Sequence, residues 1–187
     1  MPLSLPLPTP RDGDPCRPLL RLNAASVAEA ERTLLGCCRC DRWAHRLAAH
    51  RPYPDPDSLL AAADEASYDM THTDIAQALS AEPADHPVTE GPGALAAHTA
   101  LRAAHAAYEA RFGHTFVVCL DDCRPEERVD VALVGLRTRL GHDQDTERAV
   151  AAEELRRLAR CRLARLLGVA PHAGPAARPC GPAPPGR

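Results

Sequence analysis

Residues 94–119 read ALAAHTALRAAHAAYEARFGHTFVVC. Ala94, Ala97, His98, Leu101, Ala104, His105, Tyr108 and Phe112 recur at three- and four-residue steps, so they share one face of a helix. Arg102, Glu109 and Arg111 point elsewhere and suit solvent. The many alanines add helix propensity. Gly113 then breaks the period, and 115–119 (TFVVC) is a short apolar run of β-branched and aromatic residues. The stretch predicts a long central helix, a glycine kink and a buried segment that redirects the chain. Neighbouring helices are expected to pack around this rod.

Helical signals continue on both sides. Ser26 and Glu29 form a capping box ahead of Val27, Ala30, Leu34 and Leu35, and Gly36 ends that helix. A second helix over 41–50 turns Trp43, Ala44 and Leu47 inward and leaves His45 and His50 at the surface. The prolines of 51–56 stop it. Asp57 is the expected cap of a third helix carrying Leu59, Leu60, Ala63 and Ala66, and Thr71 or Thr73 caps a short fourth one. Residues 82–93 hold three prolines and two glycines and read as a loop before the central helix. Pro125 opens a helix to about Leu140, and Asp143 or Asp145 opens a last one that reaches Leu167 and Gly168. The expectation is an all-α, single-domain bundle of about seven helices. It spans 22–167, between a disordered Pro-rich arm (1–21) and a Pro/Gly-rich tail (168–187).

Composition narrows the function. The chain has 187 residues, enough for one domain, and a net charge of −3, which offers no electrostatic footprint for nucleic acid or an anionic membrane. No stretch reaches the length of a membrane span. The first ten residues carry four prolines and no basic segment, so they do not read as a signal peptide, and a cytoplasmic protein is expected. Lysine is absent and all 22 basic residues are Arg, which reads as a coding bias and warns against over-reading any single Arg. The eight cysteines are expected as reduced thiols. Cys37, Cys38 and Cys40 cluster, but their spacing is not that of a zinc ribbon and no second pair follows, so buried inert thiols are the better reading. No metal is expected.

One residue breaks the pattern. In the last helix Leu155, Leu158, Ala159, Arg162 and Leu166 fall on one face, which puts a guanidinium in an apolar stripe. Burying that charge alone costs several kcal/mol. It can reach out to water, pair with a core carboxylate, or receive an anionic ligand. His98 and His105, seven apart on the central helix, read as packed histidines and lie too far apart to share a metal.

Several motifs together resemble the 2-oxo-4-hydroxy-4-carboxy-5-ureidoimidazoline (OHCU) decarboxylases. Residues 38–44 (CRCDRWA) followed by Arg51-Pro52-Tyr53 are similar to that family's CxxxRWA…RPF. Residues 107–113 (AYEARFG) with 116–119 (FVVC) resemble its aYexRFGxxFvvC, and 139–143 (RLGHD), Glu147 and Arg162-Leu163 match its RLxND…E…RL ending. The resemblance covers about 22–167. It implies an all-α enzyme without cofactor or metal that forms (S)-allantoin from a small ureidoimidazoline carboxylate in urate breakdown. It also implies a homodimer, which the Ala-rich helices could support.

For that chemistry a site orients the substrate carboxylate out of the ring plane, strips its water, and protonates one face of the carbanion left by CO₂. The family uses a His from an HPxIG motif, a Glu from an SxxEQ motif and an Arg on the last helix. Arg162 matches that Arg and is the expected anchor of the substrate carboxylate, with Phe116 and Val118 beside it as substrate-binding residues. Without a gap, Glu82-Pro83 takes the place of the family's His-Pro; with a small gap, His86-Pro87-Val88 does. The SxxEQ segment is missing, and Glu90 is the carboxylate that remains in the loop after His86. The expected catalytic set is therefore His86 as acid/base, with Glu82 or Glu90 as its orienting partner. The alternative is a family-fold protein without the activity, acting as a binding or interaction protein or on another small carboxylate.

Overall fold

The computed structural model describes residues 17–83 and 93–170. Among these residues lie eight α-helices and no strand: α1 Arg17–Ala24, α2 Val27–Leu35, α3 Asp41–Ala49, α4 Pro56–Tyr68, α5 His72–Ala81, α6 Ala94–Phe112, α7 Arg128–Arg139 and α8 Gln144–Leu167. A 3₁₀ turn, Pro125–Glu127, leads into α7.

Local chemistry sets most boundaries. At α2 the Glu29 N–H donates to Ser26 Oγ at 3.3 Å while the Ser26 N–H donates to Glu29 Oε2 at 3.0 Å. Thr71 and Asp74 repeat this reciprocal pair at α5. Gly113 and Gly168 end α6 and α8 at φ of 77° and 70°, a region that glycine enters without a Cβ penalty. α4 differs from expectation: Asp55, not Asp57, is the cap, its Oδ1 accepting from the Ser58 N–H at 2.7 Å. Pro56 is the reason. It has no N–H to lose and its φ suits the first helical position, so the helix starts two residues earlier.

A second correction concerns the arm expected over 1–21: Arg17 to Arg21 belong to α1. Leu19 and Leu22 bury there, and Arg51 holds the helix end by donating to the carbonyls of Leu22 and Ala25, the latter at 2.8 Å. Asn23 brackets the Tyr53 backbone, donating to its carbonyl at 2.8 Å and accepting from its N–H at 3.0 Å. The partners of α1 thus lie some thirty residues away. A local reading of a proline-rich stretch cannot see them. Val27 and Leu166, expected inward, are 54% and 38% exposed.

The largest core is built by α1 to α4 against α8 and includes Trp43, Leu47, Leu59, Leu60, Leu155 and Leu163. Trp43 Nε1 donates to the Ala63 carbonyl at 3.1 Å and to Ser67 Oγ at 3.0 Å, so its one polar group is satisfied inside. A second cluster packs α6 on α7 around Leu101, Tyr108, Phe116 and Leu136. A third joins α5, the chain after α6, and α8 through Leu79, Val117 and Ala151. α8 therefore touches two clusters, and the gathering role expected of α6 falls to it.

Residues 115–119 form an extended strap, not a strand. Extended backbone groups still need partners when buried. Here Arg139 Nη1 donates to the Val117 carbonyl at 2.6 Å, and Glu154 Oε2 accepts from the Cys119 N–H at 2.7 Å. Arg139 is itself held by Glu147, its Nε donating to Oε1 at 2.9 Å. The Tyr108 hydroxyl donates to the same oxygen, and His142 Nδ1 lies 2.9 Å from Oε2. Burial alone raises the Glu147 pKa, but the hydrogen bonds from Arg139 and Tyr108 outweigh it and hold the carboxyl below its ordinary range. This buried knot ties α6, α7, α8 and the strap together.

Candidate functional site

A cavity of about 270 Å³ opens where α8, α7, α6, the strap and the end of α5 meet. α8 presents Leu158, Arg162 and Arg165 to it, spaced by four and three residues on one helical face. α7 adds Arg128 and Ala132, α6 adds His105, and the strap and following turn add Phe116, Val117, Val118, Leu120 and Asp121. Glu82 and Pro83, just past α5, close one side.

Arg162 is not reaching for water. Its Nη1 and Nη2 donate to Glu82 Oε1 and Oε2, each at 2.8 Å, and Nη1 also donates to the Cys37 carbonyl at 3.2 Å. Of the three outcomes open to this guanidinium, the carboxylate partner is the one found. The side chain still lines the cavity. Arg165 pairs with Asp121. Arg128 donates from Nε to the Cys123 carbonyl at 3.3 Å and, among the described residues, has no carboxylate partner. His105 is buried, its ring edge-on to Phe116 with centroids 5.5 Å apart.

Glu82, Arg162, Phe116 and Val118 thus meet in one cavity. His86 and Glu90, and with them the His-Pro element 86–88, lie outside the described residues. The sequence reading missed Arg128, Arg165 and Asp121 and took His105 for packing alone. Arg165 was legible in principle, one turn from Arg162, whereas Arg128 reaches the cavity through the path of the turn that precedes α7. Cys37, Cys38 and Cys40 are buried thiols, and burial pushes Cys37 up to about 11 and Cys38 up to about 12. Among the described residues these three are not part of a metal-binding group.

A protein-family model for OHCU decarboxylase matches residues 23–87 and 89–164. The chain belongs to the OHCU decarboxylase family. Solved structures agree on the family's fold. An (S)-allantoin synthase is 20% identical with a TM-score of 0.62, the match covering 79% of this chain and 53% of that one. The chain therefore spans about half the length of that protein. An OHCU decarboxylase crystallised in the presence of (S)-allantoin is 21% identical with a TM-score of 0.60, covering 72% of this chain and 96% of that one. No functionally curated protein matches. Within the family match, residue 88 falls between the two matched segments, inside the loop where this chain departs from the family's motif. No helix among the described residues is long and apolar enough to cross a membrane.

Proposed function

We propose that this family member is a carboxy-lyase that decarboxylates OHCU to (S)-allantoin without a cofactor. The observation that carries the reading is the shared wall: Arg162, matched to the family's last-helix Arg, lines one cavity with Arg128, His105 and Phe116.

The chemistry asks for an anion anchor, a dry surface and one proton. Arg128 is the guanidinium of this cavity that lacks a carboxylate partner among the described residues, so it receives the substrate carboxylate. Glu82 fixes Arg162 in a bidentate grip, and Arg162 lends positive charge to the enolate oxygen that develops as CO₂ leaves. Phe116 and Val118 supply the apolar face that strips water from the reacting carboxylate. By the family resemblance His86 is assigned delivery of the proton to carbon, with Glu90 as its orienting partner; His105 is the imidazole that lines the cavity.

The test follows freshly generated OHCU by absorbance and the handedness of the allantoin by circular dichroism. Decay faster than in buffer, with one enantiomer in excess, supports the reading. Decay at the buffer rate, giving racemic product, overturns it.

A second reading has its own observation. Glu82 stands where an ungapped match puts the family's His, and it already fills the fork of Arg162. A protein that binds a small carboxylate without turning it over would show the same pair. Tight binding of a small ureido carboxylate such as allantoate by calorimetry, with no acceleration of OHCU decay, selects this alternative.

A further inference from the structure

Beside the cavity, which Asp121 also lines, lie two thiols and a carboxylate with no role in the proposed decarboxylation. Cys119 ends the strap, Asp121 begins the turn after it, and Cys161 projects from α8. The two sulfurs are 3.6 Å apart, and one oxygen of Asp121 lies within 4.8 Å of both. Both cysteines are buried, at 5% and 8% exposure. Asp121 Oδ1 pairs with Arg165, whereas its Oδ2 is shut off from solvent and accepts no hydrogen bond of normal geometry. The Cys161 thiol is the donor beside this carboxylate, and a thiol is a weak one, so the buried oxygen is poorly satisfied.

The geometry points to a zinc-class metal site formed by Cys119 Sγ, Cys161 Sγ and Asp121 Oδ2, with the fourth position on the cavity side taken by water. A tetrahedral zinc with bonds of about 2.3 Å to sulfur and about 2.1 Å to oxygen holds its sulfurs about 3.8 Å apart and its oxygen about 3.6 Å from each. The sulfurs already stand at that separation, and the carboxylate needs a shift of about an ångström or less. Charge balances as well. Zn²⁺ replaces the two thiol protons, which leave to solvent, and the single negative charge remaining on the site faces the Arg165 guanidinium that Asp121 already binds. The site pins the strap to α8. Because Phe116, Val118 and Asp121 belong to that strap and its turn, the metal stiffens one wall of the cavity.

The experiment uses the full-length, tag-free chain, reduced and stripped with a chelator, and titrates it with cobalt(II). The expected result is one equivalent bound with a sulfur-to-cobalt charge-transfer band, displaced by zinc, and two thiols newly protected from alkylation. Zinc at a hundredfold excess over its Kd should raise Tm by about 5–10 °C. The Cys119→Ser/Cys161→Ser double variant should lose the band. The Cys37→Ser/Cys38→Ser/Cys40→Ser variant should keep it. Asp121→Asn, which leaves both thiols in place, should weaken cobalt binding at least about tenfold. No band in the wild type, a band that survives in the double variant, or the two thiols recovered as a disulfide that metal does not prevent would overturn the site.

Discussion

Glu82 and Arg162, eighty residues apart, meet in a two-point grip with both N–O distances at 2.8 Å, at the edge of the cavity that Arg128, His105 and Phe116 also line. The carboxylate is almost fully buried, the Glu82 side chain being 2% exposed, while the Arg162 side chain keeps 25% of its surface. Each needs the other, but not equally.

Removing Arg162 strands a buried carboxylate. Arg162→Ala is therefore expected to destabilise the fold by about 3 kcal/mol, whereas Glu82→Gln, which leaves a partly solvated guanidinium beside a neutral amide, should cost about 1 kcal/mol. Urea midpoints for the two variants check the order. In calorimetry Glu82→Gln should also bind a small carboxylate more tightly than wild type, because the Arg162 fork is then released.

Arg128 separates binding from folding. Its one hydrogen bond among the described residues is a 3.3 Å contact to the Cys123 carbonyl, so Arg128→Gln should unfold at a urea concentration close to wild type. With OHCU as substrate, kcat/KM should fall about a hundredfold to a thousandfold. An unchanged kcat/KM would remove Arg128 from the site.

The Tyr108–Glu147–Arg139 knot predicts a pH dependence. The Glu147 pKa is held below the ordinary 4.5 in the folded chain, so its contribution is present above that value and is lost as pH falls through the folded value. Wild type should lose stability on acidification below about pH 4.5. Glu147→Gln should be less stable at neutral pH and show a shallower slope in that window. Urea unfolding at a series of acidic pH values measures both. Parallel curves would mean that the carboxylate is not the group responsible.

The start of α4 offers a cleaner test of local chemistry. Asp55→Ala removes the side-chain acceptor for the Ser58 N–H and should cost about 1 kcal/mol. Asp57→Ala loses a favourable charge near the helix N-terminus, worth about 0.3–1 kcal/mol at a surface site. Thermal or urea unfolding of the two single variants ranks them; the reverse order would return the cap to Asp57.

Much of this was legible along the chain because it is written in short-range physics. Ser26 with Glu29, Thr71, Gly113, Asp143 and Gly168 bound their helices through contacts within a few residues. The three- and four-residue period of Ala94 to Phe112 needs no partner to be read. The family's motifs survive in order, so membership was readable as well. Arg162 was conspicuous because a charge in an apolar stripe demands an explanation, but the sequence left three explanations standing.

What the sequence determined by itself was the all-α character, the family and most of the helix ends, since each rests on backbone groups satisfied close by. What the tertiary structure decided was which distant groups meet. Glu82 fills the fork of Arg162, Arg128 arrives at the first residue of α7, Cys161 comes up against Cys119, and α1 folds because Arg51 and Tyr53 hold it. These pairings form across tens of residues, where burial makes an unpartnered charge or donor too costly to leave. No local pattern records that cost; it is settled when the helices pack.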